Sequence, residues 1–371
     1  MSLVLQSLGS RDALHAWVRL YCGIDVPRRA VCAGHVAPFD YLALSYFEPS
    51  RDQVIHAPRG GGKTRLAALA TLLDLLHKPG ISVRILGGSL DQSMKMWEHL
   101  VPDLRRLIPD EVARLGESSR VVRLPHGGSC SVLTQSQRAV RGLRVQKLRC
   151  DEVELFDPAV WEAAQLTTRS LHLVGSGGHE RDRRRSKRTT HRFAHVRGAI
   201  EALSTLHESG GLMQRIVDEA VARGTVVQRW CLLDVLARCE AERACETCAL
   251  WGDCGGVAKT ACDGFVSIDD AIAMKKRVSR ATWEAEMLCR RPSVRGRVFP
   301  MFERAKHVRE HVEMRAKRLS GIAGGSGETA ELSCGIDFGF AAPLVCLWMR
   351  SDGERVWVID EYVQPMRPFE E

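Results

Sequence analysis

Apolar and polar positions along this chain switch between a strand-like and a helix-like period. Residues 53–57, Gln-Val-Ile-His-Ala, are short, apolar and β-branched, which suits a buried parallel strand. Three glycines follow. Residues 65–77 then repeat with helical spacing, placing Leu66, Leu69, Ala70, Leu73 and Leu76 on one side. Residues 146–150 form a second strand that runs into Asp151-Glu152. Residues 200–203, Ile-Glu-Ala-Leu, make a poor strand by pattern alone, and Ser204-Thr205 reads equally as a cap before a helix over 212–221. Residues 268–290 are amphipathic. Near the end, 332–337, 344–349 and 356–362 read as three short strands, separated by turns at Ala341-Ala342-Pro343 and Ser351-Asp352-Gly353.

The segment between the first strand and its helix carries the chemistry. Ala57-Pro58-Arg59-Gly60-Gly61-Gly62-Lys63-Thr64 reads as a phosphate-binding loop, a P-loop, although its first position is Ala57 where the usual pattern has glycine. Gly60, Gly61 and Gly62 let the backbone turn tightly and aim N–H groups at phosphate oxygens. Lys63 is placed to reach the β- and γ-phosphates, and Thr64 to ligate Mg²⁺. The helix that follows presents its positive end to the phosphates. Asp151 at the end of a strand suits Mg²⁺, and Glu152 beside it suits polarisation of the water that attacks the γ-phosphate. Arg59 is a candidate arginine finger supplied in cis. Arg138, Arg141 and Arg144 are further candidates for contact with nucleotide, DNA or a neighbouring subunit. These residues predict an enzyme that binds and hydrolyses ATP with Mg²⁺.

Length and composition place limits on the rest. The 371 residues suffice for two or more domains, with 45% hydrophobic and 26% charged residues. No apolar run is long enough to span a membrane, and Met1-Ser2-Leu3-Val4 does not open a signal peptide. The expected location is therefore cytoplasmic. Net charge is +8, and basic residues concentrate over 181–192, a block that suits nucleic-acid phosphates or a solvated loop.

Six of the thirteen cysteines fall between Cys231 and Cys262. In a cytoplasmic protein such clustering points to a metal rather than to disulfides. Cys239, Cys245, Cys248 and Cys254 have the spacing Cys-x5-Cys-x2-Cys-x5-Cys, with Cys262 competing with Cys239 for a ligand place. Four thiolates suit a 4Fe–4S cluster or tetrahedral Zn²⁺. The spacing is close to the iron–sulfur loop of endonuclease III-type DNA glycosylases, which favours iron–sulfur. A structural role is expected of it.

The order of segments resembles the large terminase subunit of tailed bacteriophages. The resemblance rests on the Ala-Pro-Arg-Gly-Gly-Gly-Lys-Thr loop, on Gly87-Gly88-Ser89-Leu90-Asp91-Gln92-Ser93, and on Arg141-Gly142 before Asp151-Glu152. It rests too on Ala202-Leu203-Ser204-Thr205-Leu206-His207, on Gly210-Gly211-Leu212-Met213, and on Cys334-Gly335-Ile336-Asp337-Phe338-Gly339. It implies an α/β fold of the additional-strand, catalytic-glutamate class of P-loop NTPases, with a cysteine-rich helical module and the first strands of an RNase H-like nuclease domain. Ser204 and Thr205 would form the coupling motif that senses the γ-phosphate. Asp337 would be a metal-binding carboxylate of the nuclease. The implied role is an ATP-driven motor that moves double-stranded DNA into a procapsid in the host cytoplasm. The implied partners are a portal protein, a small terminase subunit and copies of the chain itself.

The expected organisation is a helical lead-in over 1–48 with a possible adenine-side contact at 37–41, and an ATPase domain over 49–223. The cysteine-rich subdomain follows over 224–291, then a linker over 292–331 and the nuclease strands over 332–371. Later nuclease acids are not within the sequence, so no independent nuclease activity is expected. A truncated product, or a fragment completed elsewhere, accounts for that. Two other readings stand beside the motor. One is a DNA helicase or repair ATPase with an iron–sulfur module. The other is a non-catalytic remnant that binds DNA.

Overall fold

The computed structural model describes residues 3–112, 119–134, 140, 144–172, 195–207, 210–290, 307–308, 331–337, 344–351 and 355–364. Arg138, Arg141, the basic block at 181–192 and nearly all of the linker lie outside these. The chain divides into two compact units, Met1–Arg297 and Val298–Glu371.

The first unit is built on a seven-stranded sheet. In chain order its strands are β1 (Gln53–His56), β2 (Ser82–Gly87), β3 (Val121–Arg123), β4 (Ser129–Leu133), β5 (Lys147–Asp151), β8 (Ala199–Ser204) and β9 (Val226–Arg229). Between them β6 (Leu171–His172) and β7 (His195–Val196) form a separate antiparallel pair. The spatial order is β3-β4-β2-β5-β8-β1-β9. All neighbours run parallel except β3 with β4. Strand β8 therefore sits between the phosphate-loop strand β1 and the Asp-Glu strand β5, which is the additional-strand arrangement. Pairing of Leu203 with both Ile55 and Asp151 brings the ends of these three strands level.

Side chains alternate across each strand, so adjacent residues feed opposite faces. On one face Ile55, Val83, Ile85 and Leu203 pack with helices α1 (Arg11–Cys22), α2 (Pro38–Phe47), α3 (Lys63–His77) and α4 (Leu90–Leu107). On the other, Val54, Leu86, Leu148, Cys150 and Ala202 pack with helices Pro158–Gln165 and Leu212–Arg223. Helix α3 is buried nearly all round, as expected of a central helix. Helix ends follow the sequence closely: Ser10 Oγ accepts from Ala13 N at 3.1 Å, and Ser89 Oγ from Gln92 N at 3.2 Å.

Elements pack across the expected boundaries. Residues 1–48 carry helices α1 and α2, and Leu14, Trp17, Phe39 and Tyr41 lie in the same core as Ile55 and Leu69. Short helices cannot bury an apolar face alone and take it from the sheet's neighbours. Phe39 and Tyr41, expected near the adenine, are both fully buried. Strand β9 lies beyond residue 223 yet completes the sheet beside β1. The cysteine-rich segment shares that core too, through Leu250, Ala258, Cys262, Ile268 and Trp283. The amphipathic stretch over 268–290 is broken, with a helix at Ile268–Arg277 and a restart capped by Ser279.

In the second unit the described residues form an antiparallel meander of β10 (Glu331–Asp337), β11 (Leu344–Ser351) and β12 (Val356–Gln364). Asp337 ends β10 opposite Val345, and its side chain is exposed. Asp360 and Glu361 lie within β12.

Among the described residues no helix is long and apolar enough to cross a membrane.

Candidate active site

Gly60 and Gly62 adopt positive φ (72° and 82°), which lets the loop between β1 and α3 turn back on itself. Gly61 is needed for a different reason. A Cβ there would lie 2.5 Å from the Pro58 ring. The loop is held from below: Trp230, just past β9, donates its indole N–H to the Gly61 carbonyl at 2.9 Å. Gly62 faces Phe265, whose ring would be 3.3 Å from a Cβ.

Six polar side chains from the ends of β5 and β8 and the start of α3 converge at this loop. Lys63 Nζ lies 2.8 Å from Glu152 Oε1 and donates to Thr205 Oγ1 at 3.2 Å. Thr64 donates its hydroxyl to Asp151 Oδ2 at 2.7 Å. Ser204 donates to Glu152 Oε2 at 3.2 Å, and Thr205 to the Ala57 carbonyl at 3.0 Å. Glu152 stands in the left-handed region (φ 54°), a conformation that costs a non-glycine residue roughly 1 kcal/mol or more. The backbone is strained at the residue whose side chain is held by Lys63 and Ser204.

The two adjacent acids are tuned apart. Burial pushes the Asp151 carboxyl up to about 6, against the pull of Lys63. Burial also raises Glu152, but the charge of Lys63 and its hydrogen bond outweigh it and hold Glu152 below the usual carboxylate range. Asp151 Oδ1 is buried and has no hydrogen-bond partner. An orphaned carboxylate oxygen is costly unless something satisfies it. Beside the Thr64 hydroxyl it fits one coordination place of a Mg²⁺ ion, a hard cation that takes oxygen ligands.

Arg59 sits at the rim with 71% of its side chain exposed, and its Nε lies 3.2 Å from Glu286 Oε2. Its backbone N–H also donates to the Glu286 carbonyl at 3.1 Å. Glu286 reaches His207 Nδ1 at 3.6 Å with its other oxygen. Glu286, Trp230 and Phe265 were not legible as site residues, since nothing in their spacing ties them to the loop. Arg144 is exposed. Asp337 belongs to the other compact unit.

Cys239, Cys245, Cys248 and Cys254 line one cavity with Arg243, Lys259 and Trp251. The walls are tied together by polar contacts. Lys259 Nζ donates to the carbonyls of Ala241 and Arg243 at 2.8 and 2.7 Å, and Lys275 Nζ meets Asp253 at 2.7 Å. Four thiols line one void beside two cations, a donor set that suits a thiolate-held metal group, and no three of their sulfurs come within 4.8 Å of one another. Cys262 instead is buried and donates to the Leu233 carbonyl at 3.3 Å.

No protein-family profile and no curated protein matches the chain. Solved structures similar to it are large terminases from several phages. The HK97 bacteriophage large terminase is 15% identical, with 91% of this chain and 66% of that one covered, at a TM-score of 0.45. A large terminase from a thermophilic bacteriophage, in complex with ADP, is 11% identical, with 85% and 64% covered and a TM-score of 0.37. The ATPase domain of the Thermus phage P74-26 large terminase is 13% identical, with 66% and 90% covered and a TM-score of 0.38. The chain spans 64% of the length of the ADP-bound terminase.

Proposed function

We propose that this chain is an ATP-hydrolysing motor of the large-terminase kind that moves double-stranded DNA. The observation that carries the reading is the convergence of Lys63, Thr64, Asp151, Glu152, Ser204 and Thr205 at the ends of β1, β5 and β8.

In this reading the Gly60–Gly62 loop and the start of α3 receive the phosphates of ATP. Lys63 exchanges its contact with Glu152 for the β- and γ-phosphates. The Thr64 hydroxyl and Asp151 would hold Mg²⁺, which would supply neutralisation of phosphate charge. Glu152, released from Lys63, is free to orient and polarise the attacking water. Ser204 bonds Glu152 while Thr205 bonds both Lys63 and the loop carbonyl of Ala57. The end of β8 is therefore in a position to sense which partner Lys63 and Glu152 hold. That is the coupling role. Arg59 is the cis finger, parked on Glu286 and drawn to the γ-phosphate when nucleotide binds. The cysteine cluster holds 4Fe–4S or Zn²⁺ as a structural staple. The partners are duplex DNA, a portal, a small subunit and further copies of the chain.

The net charge of +8 and the sequence resemblance direct the motor towards nucleic-acid backbones. The test is ATP hydrolysis by the full chain with linear duplex, with single-stranded DNA and without DNA, over a salt series. Stimulation by duplex that falls steeply with salt is expected. Stimulation by single strands alone, with strand separation, would favour a helicase.

A further inference from the structure

Two pairs of metal-ligand residues, far apart in sequence, meet behind the phosphate loop. Cys32-Ala33-Gly34-His35 lies between α1 and α2, and Cys231-Leu232-Leu233-Asp234 follows β9. Each pair has two residues between its ligands. Gly34 takes φ +73°, which turns the first loop so that both of its side chains face the second. Cys32 Sγ and Cys231 Sγ are 3.5 Å apart, and His35 Nδ1 is 2.6 Å from Asp234 Oδ2. All four ligand atoms lie within 4.8 Å of one another, a spacing no other group of three or more His, Cys, Asp or Glu reaches among the described residues.

We infer that Cys32, His35, Cys231 and Asp234 form a structural zinc site, separate from the Cys239–Cys254 cluster. Tetrahedral Zn²⁺ takes thiolate at about 2.3 Å and imidazole or carboxylate at about 2.0–2.2 Å, so its ligand atoms stand roughly 3.3–3.8 Å apart. The sulfur pair already has that spacing, and the His35–Asp234 edge must open by less than about 1 Å to match it. Two sulfurs with an imidazole are a donor set that Zn²⁺ favours over Mg²⁺ or Ca²⁺. The site is largely enclosed and pre-oriented. The side chains of His35 and Asp234 are 8% and 0% exposed. Asp234 Oδ1 accepts from Val31 N at 2.7 Å and Cys32 N at 3.0 Å, and Oδ2 from Cys231 N at 2.8 Å. These bonds fix the carboxylate as outer partners fix metal ligands. Such a site ties residues 31–36 to the end of β9. The next residue back, Trp230, holds the Gly61 carbonyl, so the ion would brace the phosphate loop from beneath.

The test uses the full chain, purified with reductant and zinc. Thiols are alkylated in the folded protein with and without chelator and quantified peptide by peptide, which separates this site from the other cluster. Cys32, half-buried, should label at least ten-fold faster after chelation. Zinc content should fall by one equivalent in Cys32→Ser while labelling of Cys245 and Cys248 is unchanged. Equal labelling of wild-type Cys32 with and without chelator would overturn the inference, as would recovery of a Cys32–Cys231 disulfide. The Cys32 labelling comparison is made on wild type, so misfolding of the variant does not affect it.

Discussion

Replacing Glu201 with Gln removes one charge from a network that is wholly inside the protein. Glu201 lies on β8 at 0% exposure. It meets Lys147 Nζ at 2.7 Å and Arg149 Nε at 2.8 Å, both from β5. Tyr41 and Ser45, from α2, donate to it at 2.8 and 2.6 Å. Arg149 continues to Asp74 at 2.7 Å and Thr71 at 3.0 Å on α3, and Asp74 also pairs with Lys78. Burial raises the Glu201 carboxyl, but Arg149 and Lys147 outweigh it and hold the group far below the ordinary carboxylate range. In Glu201→Gln the shape is kept, yet Lys147, Arg149 and Lys78 face Asp74 as the sole carboxylate of the group. Removing one partner of a buried pair costs about 3–5 kcal/mol, because it strands the other charge in a medium that cannot solvate it. Domain stability is typically only about 5–15 kcal/mol. Urea unfolding followed by tryptophan fluorescence should show the midpoint falling by about 1 M or more with its slope unchanged. Adding Lys147→Met should recover part of the loss, since it removes the charge left behind, with a coupling of about 1–3 kcal/mol. A midpoint shift below about 0.2 M in Glu201→Gln, or strict additivity in the double variant, would show that no stranded charge governs this site.

Gly61→Ala should lower affinity for ATP by at least about ten-fold, equivalent to ~1.4 kcal/mol. Its Cβ meets the Pro58 ring at 2.5 Å and forces the loop open, and titration with a fluorescent nucleotide checks it. His77 predicts an acid-sensitive fold. Burial lowers its pKa from 6.5 to about 4. As neutral imidazole it pairs with Tyr46 Oη at 3.0 Å and the Val4 carbonyl at 2.9 Å. The unfolded chain takes up a proton below about pH 6.5 that the folded one refuses. The stability His77 contributes is therefore intact above pH 6.5. It is lost progressively down to about pH 4, by up to about 3 kcal/mol. Denaturation midpoints at pH 7 and 4.5 should differ less in His77→Gln than in wild type, and an unchanged difference would sink this assignment.

How much of this was readable in the sequence depended on whether a residue's partner was local. The loop, its strand and helix α3 were legible because glycines, Lys63 and Thr64 act within a few residues of one another. Asp151-Glu152 was legible because two adjacent acids at a strand end, downstream of a glycine-rich loop with Lys63 and Thr64, suit a magnesium-bound phosphate. Strand β8 was hard to see for an equally physical reason. Glu201 interrupts its apolar run, and only the structure shows that this acid faces Lys147 and Arg149 in the interior. Residues 37–41 carried aromatics that suited a nucleotide, yet Tyr41 reaches inward to Glu201, a contact 160 residues away in sequence. The hold of Glu286 on Arg59 and the pairing of Cys32 with Cys231 are likewise long-range, so no local pattern announces them.

The proposed motor depends on Glu152 and Lys63 forming a hydrolytic site. Steady-state ATP hydrolysis by wild type and Glu152→Gln, each with and without linear duplex DNA, decides whether they do. Hydrolysis is expected in wild type, with a loss of about 100-fold or more in Glu152→Gln and nucleotide binding retained. Equal turnover in the two proteins, or none in a folded, metal-loaded wild type that binds ATP, would contradict that role.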